Sequence, residues 1–324
     1  MNNRTLIEHP VSEAYEQFRA AFALSLQSEV KTVRIAVEAI RRNSGKHIRP
    51  LLLLLAARAC GRVGDNTVPA AVLIELLHTA SLLHDDVIDD TKLRRGVRSV
   101  NAIFDNRIAV LVGDFILADV MIRAAALDCM PVVHIVATLC REMSQGEIKQ
   151  IENADRLLLA EKDYFLVLKK KTATLLASCT EIGAVTAGAP LELQQRCHAI
   201  GTLLGYAFQI RDDIFDYFDD PQTGKPNGND LREGKVTLPL LHALSAASPS
   251  EKAPYLDMLR EKKLDPAQIA TLIDFARERG GIAYAEMRMN TCKEQAATLI
   301  RTLPSSDART GLLHLADYLV ERTK

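Results

Sequence analysis

The sequence predicts an all-α protein, a large single domain spanning 1–324. Three observations point there. Ala, Leu, Glu, Arg and Lys dominate nearly every long segment, and strand-like alternation is hard to find. Prolines fall between segments or in first turns, at Pro50, Pro69, Pro131, Pro190, Pro249, Pro266 and Pro304, where the backbone N–H has no intrahelical partner to lose. No low-complexity linker or period of 30–45 residues breaks the chain, which excludes a helical solenoid.

In order, a helix is expected over roughly 11–42, and a short one from Pro50. A third over about 70–90 ends in an acidic cluster. Helices follow at about 100–127, 131–152 and 160–188, and one over about 190–218 ends in a second cluster. A loop rich in Gly, Pro, Asn and Asp covers 219–235. Shorter helices fill the remainder, one of them opened by Asp265-Pro266 as N-cap and first-turn proline. Gly201 and Gly205, four apart in a helical pattern, each cost about 1 kcal/mol against alanine. Close helix packing accounts for them.

Lysines and arginines (40) balance aspartates and glutamates (41), so net charge marks neither a nucleic-acid nor a membrane-surface protein. Six cysteines without a Cys-x-x-Cys pair are expected to be reduced, buried thiols, as in a cytoplasmic protein. No signal peptide is legible, Asn3-Arg4-Thr5 carries no weight as a glycosylation site, and Leu51–Ala57 is too short to cross a bilayer, so no transmembrane segment is expected.

The chemistry lies in two stretches, Leu82–Asp90 and Ile210–Asp216, each with carboxylates at i, i+1 and i+4 in an apolar run. Asp85 and Asp89 fall on one helical face about 5–6 Å apart, and Asp212 and Asp216 repeat the spacing. Like charges so placed destabilise a helix unless something offsets them. Mg2+, which prefers oxygen ligands and bridges carboxylates to phosphates, does so. A solvated acidic helix end would explain one such cluster but not two. The chain is read as a scaffold that points the clusters at each other. Basic residues gather at Lys46 and Arg49, at Arg94-Arg95-Gly96, at Lys171-Thr172, and at Lys225 and Lys235. Singly they are solvated charges. Together they suit multiply charged phosphates. No P-loop or Gly-x-Gly-x-x-Gly turn is present. Glu75-x-x-His78 matches a di-iron element, but its required second copy fails, since position 11 of Glu8–Val11 is valine.

These residues resemble the all-trans polyprenyl diphosphate synthases, the head-to-tail prenyltransferases, over nearly the whole length, from Gly45-Lys46-x-x-Arg49-Pro50 to Gly234-Lys235-Val236-Thr237-Leu238-Pro239. Two Asp-Asp-x-x-Asp motifs carry the likeness, with His78, Arg94-Arg95-Gly96, Gly113-Asp114, Lys171-Thr172 and Gln209. The resemblance implies the isoprenoid synthase fold, a bundle of long helices around a central cavity, in a homodimer. It implies Mg2+ held by Asp85, Asp89 and Asp212, supported by Asp86, Asp213 and Asp216. An allylic diphosphate would be held by Arg94, Lys171, Lys225 and Lys235, and isopentenyl diphosphate by Lys46, Arg49, His78 and Arg95. Pyrophosphate departs, the double bond of isopentenyl diphosphate attacks the allylic cation, and a proton is lost near Thr172 and Gln209.

The same resemblance makes the helix before the first cluster the ruler of product length. Ala80, Ser81 and, a turn back, Leu77 are not aromatic, so a medium- or long-chain product is expected. The pattern is most like octaprenyl-type enzymes that make quinone side chains. The alternatives are a shorter-chain geranylgeranyl or farnesyl diphosphate synthase, a class I terpene cyclase (disfavoured by the second aspartate motif, 5% aromatics and no tryptophan), and a non-catalytic partner subunit. Asn229 and Arg98 depart from common family residues and put loop contacts in doubt.

Overall fold

The computed structural model describes residues 3–42, 45–157, 159–219, 227–261 and 263–321. Among the described residues it is all-α apart from a two-residue-per-strand hairpin, Leu93–Arg94 paired with Val97–Arg98, in which Arg95 (φ 52°) and Gly96 (φ 78°) make the left-handed turn. This hairpin was not expected. It is built on the Arg-Arg-Gly stretch itself, where glycine tolerates the second positive φ.

Most helices lie where their sequence periodicity puts them: Ile48–Ala59, Thr67–Ile88, Met130–Asp155 and Leu191–Phe215. Three expected helices are divided. The span 11–42 becomes Ser12–Ala23 and Lys31–Arg42. Between them Leu26 turns left-handed, and the Ser25 hydroxyl donates to the Phe22 carbonyl, the local competition with helix that serine provides. The span 100–127 breaks at Asp105, whose carboxylate caps the Ile108 N–H at 2.9 Å and starts Asn106–Ala126. The span 160–188 becomes Glu161–Leu168, a π-helical turn over Lys169–Ala173, and Thr174–Thr186. Asp265-Pro266 does open a helix, with Asp265 and Gln268 forming a reciprocal capping box.

The chain divides into two compact units. One comprises the residues up to Thr138 with Ser178–His198 and Arg301–His314. The other comprises Leu139–Ala177, Ala199–Ile300 and the residues from Leu315 onward. In the first unit, Thr67–Ile88 packs against Ser12–Ala23, Ile48–Ala59 and Asn106–Ala126. Leu51 to Leu55 are all buried there, and Gly183 brings its helix against the Leu53 carbonyl, where a Cβ would stand 2.4 Å away. Thr67–Ile88 is the one described helix long and apolar enough to cross a membrane, but its buried side and acidic end are those of a core helix that meets the same test. In the second unit, Leu240, Leu244, Leu272, Ile273 and Phe275 form one cluster, and Ile210, Ile214, Leu238 and Met289 another. All six cysteines are unbridged. Cys179, Cys197 and Cys292 are buried, whereas Cys60, Cys129 and Cys140 are only partly covered, so full burial holds for half of them.

Candidate active site

The first cluster closes Thr67–Ile88. The Asp89 N–H donates to the Asp85 carbonyl at 2.8 Å, so the two aspartates are one helical turn apart, and Asp90 then turns left-handed and ends the helix. The helix has two faces. Leu77, Ala80, Leu83 and Asp86 are buried, whereas His78, Ser81, Asp85 and Asp89, spaced by three and four, are partly exposed. The structure therefore separates the three chain-length candidates. Ser81 shares the face of Asp85, with its hydroxyl bonded back to the His78 carbonyl at 2.8 Å, while Leu77 and Ala80 are enclosed (2% and 0% exposed).

Asp86 is 3% exposed and accepts from Arg94 through both Nε (2.8 Å) and Nη2 (2.6 Å) on one oxygen, while Asn101 Nδ2 donates to its backbone carbonyl at 3.0 Å. Arg94 thus anchors the hairpin to the acidic helix end. Its neighbour Arg95 lies against Gly45, where a Cβ would stand 2.7 Å from each terminal guanidinium nitrogen. Glycine before Lys46 is what allows that approach. Burial first, then the charges of Arg49, Arg95 and Arg94, push the His78 imidazole well below its ordinary pKa. The first unit therefore gathers Gly45-Lys46, Arg49, His78, Arg94 and Arg95. Two residues of this region were not legible as a pair. Glu75, 6% exposed, binds His47 Nδ1 at 2.9 Å, and His47 itself stands left-handed at the start of Ile48–Ala59. At Gly113-Asp114 a Cβ on Gly113 would meet the His84 ring at 2.2 Å, and His84 pairs with Asp114 at 3.5 Å.

The second cluster closes Leu191–Phe215, with the Asp216 N–H donating to the Asp212 carbonyl at 3.3 Å. Asp216 holds the loop that follows, since its two oxygens accept from the Asn229 (3.0 Å) and Asp230 (2.9 Å) N–H groups. Asp213 is 4% exposed and accepts from Gln209 Nε2 at 2.9 Å and the Tyr164 hydroxyl at 2.6 Å. Burial pushes its carboxyl up to about 7 against the lowering effect of those bonds, and pushes Asp230 up as well. Tyr164 is driven well above its ordinary value by burial and by Asp213.

A cavity of ≈ 170 Å³ in the second unit is lined by Lys171, Thr172, Gln209, Asp213, Asp230 and Lys235, with Leu157, Val167, Leu168 and Leu241 on its apolar side. Lys171 and Thr172 sit on the π-helical turn. Gly146 and Gly205 clamp that turn, since a Cβ on Gly146 would stand 2.8 Å from the Lys171 nitrogen and one on Gly205 only 2.4 Å from Ala173 Cα. Close packing is the role expected for Gly205. Lys171 pairs with Glu147 at 2.5 Å, and Lys235 with Glu233 at 2.5 Å. Lys225 lies outside the described residues. Tyr164, Asp230 and Glu147 were missed by sequence reasoning. Tyr164 carried no signal, because its partner is 49 residues away, and a π-turn has no simple sequence period.

Among the described residues, no group of three or more His, Cys, Asp or Glu side chains is gathered to hold a metal. Each cluster offers carboxylates one turn apart, a set that a hard cation completes with water and phosphate oxygens. The donors fit such an ion only if a substrate contributes.

Residues 30–276 match the polyprenyl synthetase family profile. Octaprenyl diphosphate synthase of Escherichia coli (strain K12) is 34% identical over 94% of each chain. Heptaprenyl diphosphate synthase component 2 of Geobacillus stearothermophilus is 36% identical over 92% of each. A solved polyprenyl synthase from Caulobacter crescentus CB15, complexed with calcium and isoprenyl diphosphate, superposes with a TM-score of 0.91 at 31% identity, covering 98% of this chain and 97% of that one. With a profile match over most of the chain, a shared fold and near-complete coverage by these relatives, the chain belongs to the polyprenyl synthetase family and is a prenyltransferase.

Proposed function

We propose that the chain condenses isopentenyl diphosphate head-to-tail with an allylic diphosphate, releasing pyrophosphate and making a long-chain all-trans polyprenyl diphosphate, and that residues 1–324 act as one functional domain. The supporting observation is the pair of Asp-Asp-x-x-Asp helix ends, each within its own unit beside arginines or lysines. Mg2+ is assigned to Asp85, Asp89 and Asp212. Asp86, Asp213 and Asp216 support the metal ligands, consistent with the protein hydrogen bonds their carboxylates already accept. The ion supplies Lewis-acid stabilisation of charge developing on the departing pyrophosphate.

The protein's own residues do the rest. Arg94, Lys171, Lys225 and Lys235 bind the allylic diphosphate, and Lys46, Arg49, His78 and Arg95 bind isopentenyl diphosphate. A neutral His78 amid three arginines donates one hydrogen bond without adding to their repulsion. Thr172 and Gln209 lie where the proton is lost. A long product is supported by the names of the octaprenyl and heptaprenyl relatives and by the small, open Ser81 on the cluster face. Use of that product for quinone side chains belongs to the same reading, as does a cytoplasmic location, which the unbridged thiols suit.

A homodimer is supported by an apolar stripe on Asn106–Ala126, where Val110, Leu111, Met121 and Ile122 are 38%, 61%, 66% and 69% exposed on one face. The relative named as a component 2 favours a second reading, in which this stripe seats a different subunit.

The test is incubation of the isolated chain with farnesyl and isopentenyl diphosphates and Mg2+, followed by sizing of the products. Long linear chains are expected. Asp85→Ala and Asp212→Ala should each lower turnover by orders of magnitude. Cyclic hydrocarbons, no turnover by the isolated chain, or full activity in either variant would overturn the assignment.

A further inference from the structure

Tyr164 stands on Glu161–Leu168, a turn and a half before the π-helical turn, and its ring packs edge-on against Phe165 with centroids 5.2 Å apart. Its hydroxyl starts a chain of hydrogen bonds that runs in one direction when Asp213 is ionised, the form that the Tyr164 and Gln209 donors favour against burial and that accepts at both oxygens. Asp213 Oδ2 accepts from the Tyr164 hydroxyl at 2.6 Å, and Oδ1 accepts from Gln209 Nε2 at 2.9 Å. With its nitrogen turned to Asp213, the Gln209 amide must present Oε1 to Thr172, whose Oγ1 lies 2.9 Å away. That oxygen cannot donate, so the single hydroxyl proton of Thr172 points to Gln209. What Thr172 then offers to the cavity is its lone pairs and not its proton.

We propose that Tyr164 is a positioning residue, which holds Asp213 so that the Gln209 amide keeps one orientation and the Thr172 hydroxyl faces the bound allylic substrate as an acceptor. The inference rests on the prenyl-transfer reading given above. An acceptor oxygen suits a substrate that becomes a cation, because its lone pairs are attracted to the growing positive charge while an O–H aimed the same way would be repelled. Asp213 is 4% exposed, so an oxygen deprived of its Tyr164 donor has little water to replace it. The carboxylate then turns to whatever donor remains, and the amide is no longer held in one sense.

The test is a double-mutant cycle on kcat, using Tyr164→Phe, Thr172→Val and the double variant, with KM for both diphosphates and the melting temperature of each protein. Phenylalanine keeps the ring that packs on Phe165 and removes only the hydroxyl. The expected result is that Tyr164→Phe lowers kcat about tenfold, leaves both KM values within about twofold of wild type, and costs nothing further in the Thr172→Val background. Losses that multiply in the double variant would overturn the proposal, as would a rise in KM with kcat unchanged, or a kcat loss that tracks a lowered melting temperature. A wild-type chain that makes no prenyl diphosphate at all refutes the activity and the proposal together. That outcome is distinct from an active wild type with multiplying losses, which refutes the proposal alone.

Discussion

Gly205→Ala tests whether the π-helical turn is held by close backbone approach. Gly205 lies inside Leu191–Phe215, so alanine there would ordinarily stabilise the helix by about 1 kcal/mol. Here the new Cβ would stand 2.4 Å from Ala173 Cα and 2.9 Å from Ala173 Cβ. Carbon atoms in contact prefer about 3.5–4.0 Å, so the two backbones must part by roughly 1 Å or more. The nearest obstacle is main chain, which has no rotamer to change. Overpacking of this kind costs about 1–3 kcal/mol. Setting the helix gain against it leaves a net destabilisation of about 0–2 kcal/mol, a fall of a few degrees at most in the melting temperature of a chain this long. Activity should suffer more. Ala173 ends the π-turn that carries Lys171 and Thr172, and a displacement of about 1 Å at reacting groups can cost up to roughly 100-fold in rate. Differential scanning calorimetry and a steady-state assay with radiolabelled isopentenyl diphosphate read the two effects separately. A variant that melts higher than wild type and keeps full turnover would show that the clamp does not exist.

Three further outcomes follow from named residues. Ser81→Phe should shorten the product with little change in stability, because position 81 is partly open on the face of Asp85. Ala80→Tyr should also shorten it but lower the melting temperature, because Ala80 is 0% exposed; unchanged chain length in both variants, read by thin-layer chromatography of the dephosphorylated products, would remove the ruler from this helix. His78 has a folded pKa below its ordinary 6.5, so the unfolded chain takes up its proton first. The stability His78 contributes is complete above pH 6.5 and is lost as pH falls from there through the folded pKa. Denaturant titrations from pH 7.5 to 5 should show wild type losing stability relative to His78→Gln, and parallel curves would contradict this. Ile122→Glu should convert the proposed homodimer to monomer by light scattering, since it places a charge on the exposed stripe of Asn106–Ala126; a dimeric mass unchanged by the substitution, or a monomeric wild type, would contradict an interface there.

The sequence by itself determined the fold class, the family and the spacing of both aspartate motifs. Helical propensity and a spacing of three or four are local properties, and both aspartate pairs are linked by the i to i+4 bonds that spacing implies. The position of Gly205 in a helical run was enough to expect close packing, and Asp265-Pro266 enough to expect a capped helix start, because each depends on a few neighbouring residues. Tertiary structure decided what each of those side chains touches. Asp86 with Arg94, Glu75 with His47, and Tyr164 with Asp213 are pairs separated by 8, 28 and 49 residues, and no local period encodes them. It also split Ala80 from Ser81, neighbours in sequence that a helix turns about 100° apart, so that one is enclosed and the other stands on the face of Asp85. The π-turn under Lys171 and Thr172 was the least legible feature. One extra residue in a helical turn leaves the composition helical and costs too little to mark the sequence, yet it fixes where the lysine and the hydroxyl meet the cavity.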